Sequence, residues 1–187
     1  MKRSHTIMAE PLTQEAFAAF GQVIALDMLP TLPIDWYRGA NRVMGPVTVE
    51  ADVPIEYLLM RSSVRPLRMR YFERHLQLTQ AFIPLDGSPF VFLAARPNAE
   101  TANGFPIIEE IRAFLSPGRA AVSIHRGTWH EPAFPLVEGQ LTLISSHREL
   151  TQGLVTEPDE NGEVLGFDLD KRSLEQRLGA SVSIVLP

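Results

Sequence analysis

A chain of 187 residues with no cysteine, 45% hydrophobic residues and a formal net charge of −5 is long enough for one domain with a buried core and short for two. The missing thiols exclude disulfide frameworks, thiolate nucleophiles and cysteine-based zinc sites. The acidic balance argues against nucleic acid or an anionic membrane, which require a Lys/Arg excess, and leaves a small molecule or another subunit as the expected partner.

The opening MKRSHTIMAEPLTQ starts basic but lacks the apolar core of a signal segment, and no stretch is apolar for long enough to cross a bilayer. A cytoplasmic location is expected. Thr13 to Phe20 (TQEAFAAF) offers an N-cap, an acidic first turn at Glu15 and a stop at Gly21, so a short helix is predicted. Short apolar or alternating runs then succeed one another at Ile55–Met60, Leu67–His75, Ala81–Leu85, Phe90–Ala95, Ala121–His125 and Leu141–Ser145, punctuated by Pro, Gly, Asp and Ser. Such a series predicts a mainly β sandwich or barrel. Between the fourth and fifth runs, Pro106 opens IIEEIRAFL, with Ile107, Ile108, Ile111, Phe114 and Leu115 on one stripe and Ser116-Pro117-Gly118 as a stop; an amphipathic helix is predicted there. Thr156–Gly162 (TEPDENG) reads as an exposed loop, and LDKRSLEQRLGA beyond it as a short helix. The chain is thus expected to be one domain over residues 1–187, with residues 156–187 as a C-terminal extension packed on the barrel.

Two histidine-bearing stretches hold the candidate chemistry. LRMRYFERH alternates, placing Leu67, Met69, Tyr71, Glu73 and His75 on one side and Arg68, Arg70, Phe72 and Arg74 on the other. If the first side faces the core, Glu73 and His75 point inward, where a carboxylate and an imidazole are costly unless used. Alternatively, the strand end reaches solvent and Glu73 pairs with an arginine. In HRGTWHEP, Gly127 permits a tight turn and Pro132 restricts the backbone after it, which puts His130 at a strand end or loop mouth. A histidine beside a tryptophan, taken alone, reads as structural.

The two stretches together resemble degenerate cupin motifs. His75 and Gly87 hold their places in the first motif, with Gln77 where a second histidine would stand and Gln80 near the glutamate position. The second motif is matched by His125-Arg126-Gly127-Thr128-Trp129-His130, with His125 in place of proline. The resemblance implies a cupin-like β-barrel or jelly roll with a few short helices. It also implies a metal site that keeps His75 and His130 but lacks a full set of strong ligands, so that a metal there is either weakly held or completed by Glu73, His125 or Glu131, since divalent metals need three or more good ligands.

Read whole, ERH, then QAFIPL (Gln80–Leu85), then IRAFL and HRGTWHEP, together with the opening LTQEAFAAFGQVI (Leu12–Ile24), are similar to the ureidoglycolate lyase family, formerly ureidoglycolate hydrolase. The similarity covers most of Leu12 to about His147, with Asp27 to Val64 departing from it and roughly the last forty residues outside it. It implies a homodimer that splits ureidoglycolate into glyoxylate and urea in allantoin and purine nitrogen salvage, with a divalent metal, nickel or similar, as cofactor. Glu131 stands where the family commonly has a second histidine after Trp129-His130, and Ser145-Ser146-His147 replaces the usual late aspartate. Two other readings stand beside it: a different metal-dependent cupin enzyme, and a non-catalytic module that binds a small carboxylate.

Elimination from such a hydroxy acid requires a base for the hydroxyl proton, an acid for the departing nitrogen and a cation for the carboxylate. Glu73 or His75 is the candidate base and His130 the acid, with Arg126 as the carboxylate clamp because alternation turns Arg74 away. His125, Gln80 and Trp129 are the other candidate substrate contacts. Schiff-base chemistry is discounted because the only lysines, Lys2 and Lys171, fall outside the presumed barrel, and no glycine-rich phosphate loop is present. His5 and His147 are expected at the surface or rim.

Overall fold

The computed structural model describes residues 3–97, 99, 101–156 and 158–187. Its largest sheet runs, in spatial order, β13 (Val164–Leu165), β14 (Asp170–Ser173), β6 (Tyr71–Arg74), β11 (Trp129–Pro135), β8 (Phe90–Ala95), β9 (Arg112–Ser116) and β2 (Glu10–Pro11). A second sheet, β3 (Gly21–Ile24), β10 (Ala121–Ile124), β7 (Gln80–Pro84), β12 (Gln140–Ser146) and β4 (Glu56–Ser62), faces it. A third, β1 (Arg3–Met8), β15 (Ala180–Val185) and β5 (Arg68–Met69), packs behind. Three short helices are described: α1 (Gln14–Phe17), α2 (Arg148–Val155) and α3 (Leu174–Leu178). The protein is therefore mainly β, with two large sheets face to face, as the punctuated apolar runs predict, and this arrangement is consistent with the cupin-like fold that the resemblance implies.

Strand β8 shows why the layers stack this way. All six of its residues are buried, and they divide by parity: Val91, Leu93 and Ala95 enter one core with Met69, Phe72, Trp129, Val182 and Ile184. Phe90, Phe92 and Ala94 enter another with Phe82, Val122 and Ile124. A strand buried on both faces reads as a continuous apolar run. The second core is the space between the two large sheets. The α1 helix plugs it, its N-cap Thr13 accepting from Ala16 N–H at 3.1 Å, while Phe17 sits edge-on to Phe92 and Phe114. Each fully buried phenylalanine contributes on the order of 2–3 kcal/mol by leaving water.

The helix predicted at Pro106 is a correction. Only Ile108–Glu110 coils, as one 3₁₀ turn, and Arg112–Ser116 is strand β9, paired with β8 along its length. A short apolar run fits helix and strand periodicities alike, and pairing with the buried β8 decides for the strand. Leu67–His75 is also not one strand. It breaks at Arg70, so Met69 and Phe72 share one core while Glu73 turns to the other face. Strand β11 escaped the sequence reading because Pro132 and Pro135 lie within it; a register shift between Glu131 and Phe134 accommodates the first.

Beyond residue 158 the chain is woven into the sheets. The expected short helix is β14 followed by α3, capped by Ser173 and closed by left-handed Gly179. β14 pairs with β6, and β15 runs parallel to β1. The expected loop at Thr156–Gly162 includes Glu157, which lies outside the described residues; Pro158–Glu160 are exposed.

Candidate active site

The central residue of the site is Glu73 on β6. It is paired directly with His130 of β11, and opposed residues in an antiparallel ladder carry their side chains on one face. That face looks into the space between the large sheets, where His130 lies parallel to Phe92 and edge-on to Phe82. His75 comes just past the end of β6. Its ring centre is 5.2 Å from that of His130. Glu73 Oε1 lies 3.9 Å from His75 Nε2 and 3.7 Å from His130 Nε2. All three residues are buried, and one ligand atom from each lies within 4.8 Å of the others.

The two motifs are joined through the backbone. Gly127 N–H donates to the His75 carbonyl at 2.6 Å, and Gly127 adopts φ +75, where a side chain is strained. Thr128 Oγ1 and His125 N–H both donate to the Phe20 carbonyl, at 3.0 and 2.8 Å, tying the turn to the end of the N-terminal helical segment.

Burial sets the charge state of the cluster. It pushes Glu73 up to about 7, with Lys171 opposing, and His130 down to about 4, with the Thr128 carbonyl opposing. His75 is held well below its ordinary value by burial and then by His130 and His147, the Asp168 carbonyl opposing. A neutral His130 donates Nδ1–H to the Thr128 carbonyl at 3.0 Å, leaving the Nε2 lone pair toward Glu73. Neither ring nitrogen of His75, nor His130 Nε2, has a hydrogen-bond partner among the described residues. Two neutral imidazoles with unsatisfied buried nitrogens beside a carboxyl form a donor set that fits a divalent metal, and the Thr128 carbonyl orients the His130 ring as such sites require.

A cavity of about 310 Å³ reaches this cluster, lined by Arg65, Tyr71, Glu73, His130, Glu131, Pro132, Leu154 and Lys171. Glu131 accepts from Arg65 at 2.9 Å, while its Oε2 has no partner among the described residues. Burial raises it to about 7 against the pull of Arg65.

Of the other sequence candidates, Gln80 is buried on β7 two residues before Phe82, and its Oε1 is without a partner among the described residues. His125 is exposed. Arg126 is engaged by Asp52 at 2.6 and 3.1 Å and lies 3.7 Å from Glu50. Trp129 alternates with His130 and so points to the opposite face, packed on Phe105 under the guanidiniums of Arg74 and Arg172.

Two residues read as peripheral, His147 and Lys171, and one the sequence analysis passed over, Asp168, lie at the centre. His147 is buried, not at the surface or rim, with Nε2 2.7 Å from the Asp168 carboxylate. Asp168 also accepts Leu76 N–H at 2.6 Å and Gln77 N–H at 2.9 Å, which positions the segment after His75. Lys171, discounted as outside the barrel, stands opposite Glu73 on β14. Spacing carries no signal for such partners, which lie far along the chain from the β6 segment; the only cue is the charge-rich DLDKR following an apolar segment.

The order and content of these segments agree with known proteins. The sequence model of the family described as ureidoglycolate lyase matches residues 4–158. A ureidoglycolate lyase of Pseudomonas putida is 39% identical over 137 residues, covering 70% of this chain and 78% of the relative. The enzyme so named from Pseudomonas entomophila is 38% identical over the same length, 70% and 78% covered, and one from Pseudomonas aeruginosa is 37% identical over 140 residues, 70% and 77% covered. With the match extending across both histidine segments and the strands that bring them together, the chain belongs to the ureidoglycolate lyase family.

Proposed function

We propose that this protein is a lyase that cleaves ureidoglycolate to glyoxylate and urea. Family membership is the basis of this reading, and the observation that carries it to particular residues is the buried Glu73–His75–His130 cluster at the wall of a cavity bordered by Arg65 and Lys171. Two cations suit an anionic substrate, and the reaction needs neither a nucleophile nor a redox group. The shared name of the relatives favours the lyase over another metal-dependent cupin enzyme or a non-catalytic carboxylate-binding module.

In this reading Glu73 handles the proton. A carboxyl raised to about 7 is partly ionised at neutral pH, so it accepts the hydroxyl proton as the C–N bond breaks and returns it to the departing urea nitrogen. His75 and His130 stay neutral, and the unpartnered N–H of His75 donates to the hydroxyl oxygen while the hydroxyl proton goes to Glu73. His130 does not serve as the acid envisaged from sequence, because its ring proton is held by Thr128. A divalent metal such as nickel would be held by Glu73, His75 and His130 and would supply Lewis-acid polarisation of substrate oxygens. Gln80, facing the same interior, is read as a donor to substrate. Arg126, His125 and Trp129 are not assigned contacts with it.

The setting of this reading is cytoplasmic purine nitrogen salvage by a homodimer, with residues 156–187 as an extension of one domain. Exposed Tyr57, Leu59, Leu85 and Leu141 on the outer face of the five-stranded sheet support a partner subunit there. No described helix is long and apolar enough to cross a membrane.

The test is glyoxylate release from ureidoglycolate by purified protein, with chelator and then with nickel or manganese restored, alongside E73Q, H75A and H130A. Release by the wild type and its loss in all three variants is expected. No release under any metal condition would overturn the reading.

A further inference from the structure

We propose that Lys171 anchors the substrate carboxylate; this rests on the lyase reading above. Lys171 belongs to the segment beyond the family-matched residues 4–158, yet β14 pairs with β6 so that Lys171 stands directly opposite Glu73. On the other edge of β6, His130 stands opposite the same residue. Opposed residues share a face with Cβ atoms about 4.5–5.5 Å apart, so Lys171, Glu73 and His130 form one row across three neighbouring strands. All three line the same cavity. Tyr71, two residues before Glu73 on that face, supports the ammonium, with Lys171 Nζ 4.9 Å from its ring centre.

Charge accounting singles this lysine out. Around the site Arg65 is taken by Glu131, Arg126 by Asp52, and Arg74 and Arg172 by Asp170. Among the described residues Lys171 has no carboxylate within 4 Å of its ammonium. A cation with no carboxylate within 4 Å among the described residues at one end of the row, and the Glu73–His130 cluster at its middle and far end, suit a 2-hydroxy acid. Its carboxylate docks on Lys171, and the adjoining carbon, one bond away, carries its hydroxyl to Glu73. The C-terminal segment thereby supplies a substrate contact.

The experiment compares wild type with K171M, which keeps the apolar stem, and K171R, which keeps the charge. Steady-state kinetics on ureidoglycolate are combined with calorimetric titration of glyoxylate and inhibition by urea. Loss of a charged hydrogen bond predicts a KM and a glyoxylate Kd raised about 10- to 100-fold in K171M, with most of the loss recovered in K171R and urea inhibition unchanged. A wild type that turns over while K171M keeps KM and glyoxylate Kd within about twofold overturns the assignment. If the wild type does not turn over, the lyase reading fails on its own. Glyoxylate binding weakened in K171M then still supports the anchor, and equal or absent binding in both overturns it. If K171M does not fold, K171Q carries the same comparison.

Discussion

Gly127 donates its backbone N–H to the carbonyl of His75 at 2.6 Å, so the two histidine segments meet through the backbone as well as through their rings. The turn exists because Gly127 occupies φ +75, and a Cβ placed there would come within 3.3 Å of Pro97. G127A is expected to destabilise the protein by about 1–2 kcal/mol and to lower activity by displacing His75 and His130 together. Urea unfolding combined with the glyoxylate assay checks this; unchanged stability would mean that the turn relaxes without cost.

Asp168 is the second positioning residue. Its buried carboxylate accepts from Leu76 and Gln77 N–H and pairs with the buried His147. D168A leaves two part-buried backbone donors and the buried His147 imidazole without their partner, at an expected cost of about 2–4 kcal/mol. D168N, retaining one acceptor, is expected to lose less. Chemical denaturation of both variants measures the order.

Glu131 makes stability depend on pH. Its ordinary value is 4.5, and burial raises it to about 7 in the folded protein. Between these values the folded state keeps a proton that the unfolded chain releases, so this group lowers stability as pH rises from about 4.5 to about 7 and no further above that. The span amounts to on the order of 3 kcal/mol. Stability of wild type relative to E131Q, followed from pH 4.5 to 8, is expected to fall across that window; a flat difference would refute the shift.

The donor set of Glu73, His75 and His130 predicts one bound divalent ion per chain. Calorimetric titration of chelator-treated protein with nickel is expected to give a single site, with affinity reduced at least about tenfold in H75A and H130A. Metal uptake requires Glu73 to be ionised, so affinity is expected to rise with pH through about 7. Uptake unchanged in both histidine variants would place the ion elsewhere.

Features that depend on near neighbours were legible in the amino-acid order. Thr13 caps its helix by accepting an N–H from three residues on, and the unbroken apolar run of β8 is buried along its whole length. The turn at Gly127 was legible as well, whereas Glu73 and His75 were expected inward only on the side of Met69, and the break at Arg70 puts Met69 in one core and Glu73 on the other face. Long-range pairing produced the remainder. IIEEIRAFL became a 3₁₀ turn and a strand because β8 offered it a ladder. Trp129 and His130 were assigned opposite faces by the sheet that contains them, and Arg126 was taken by Asp52, 74 positions away in sequence. Asp168, His147 and Lys171 joined the site only through β14 pairing with β6 and the fold around it. Local patterning reports the conformation of a segment, whereas the partner a charged side chain finds depends on which distant strand is laid beside it, and that is settled by burial over the whole chain.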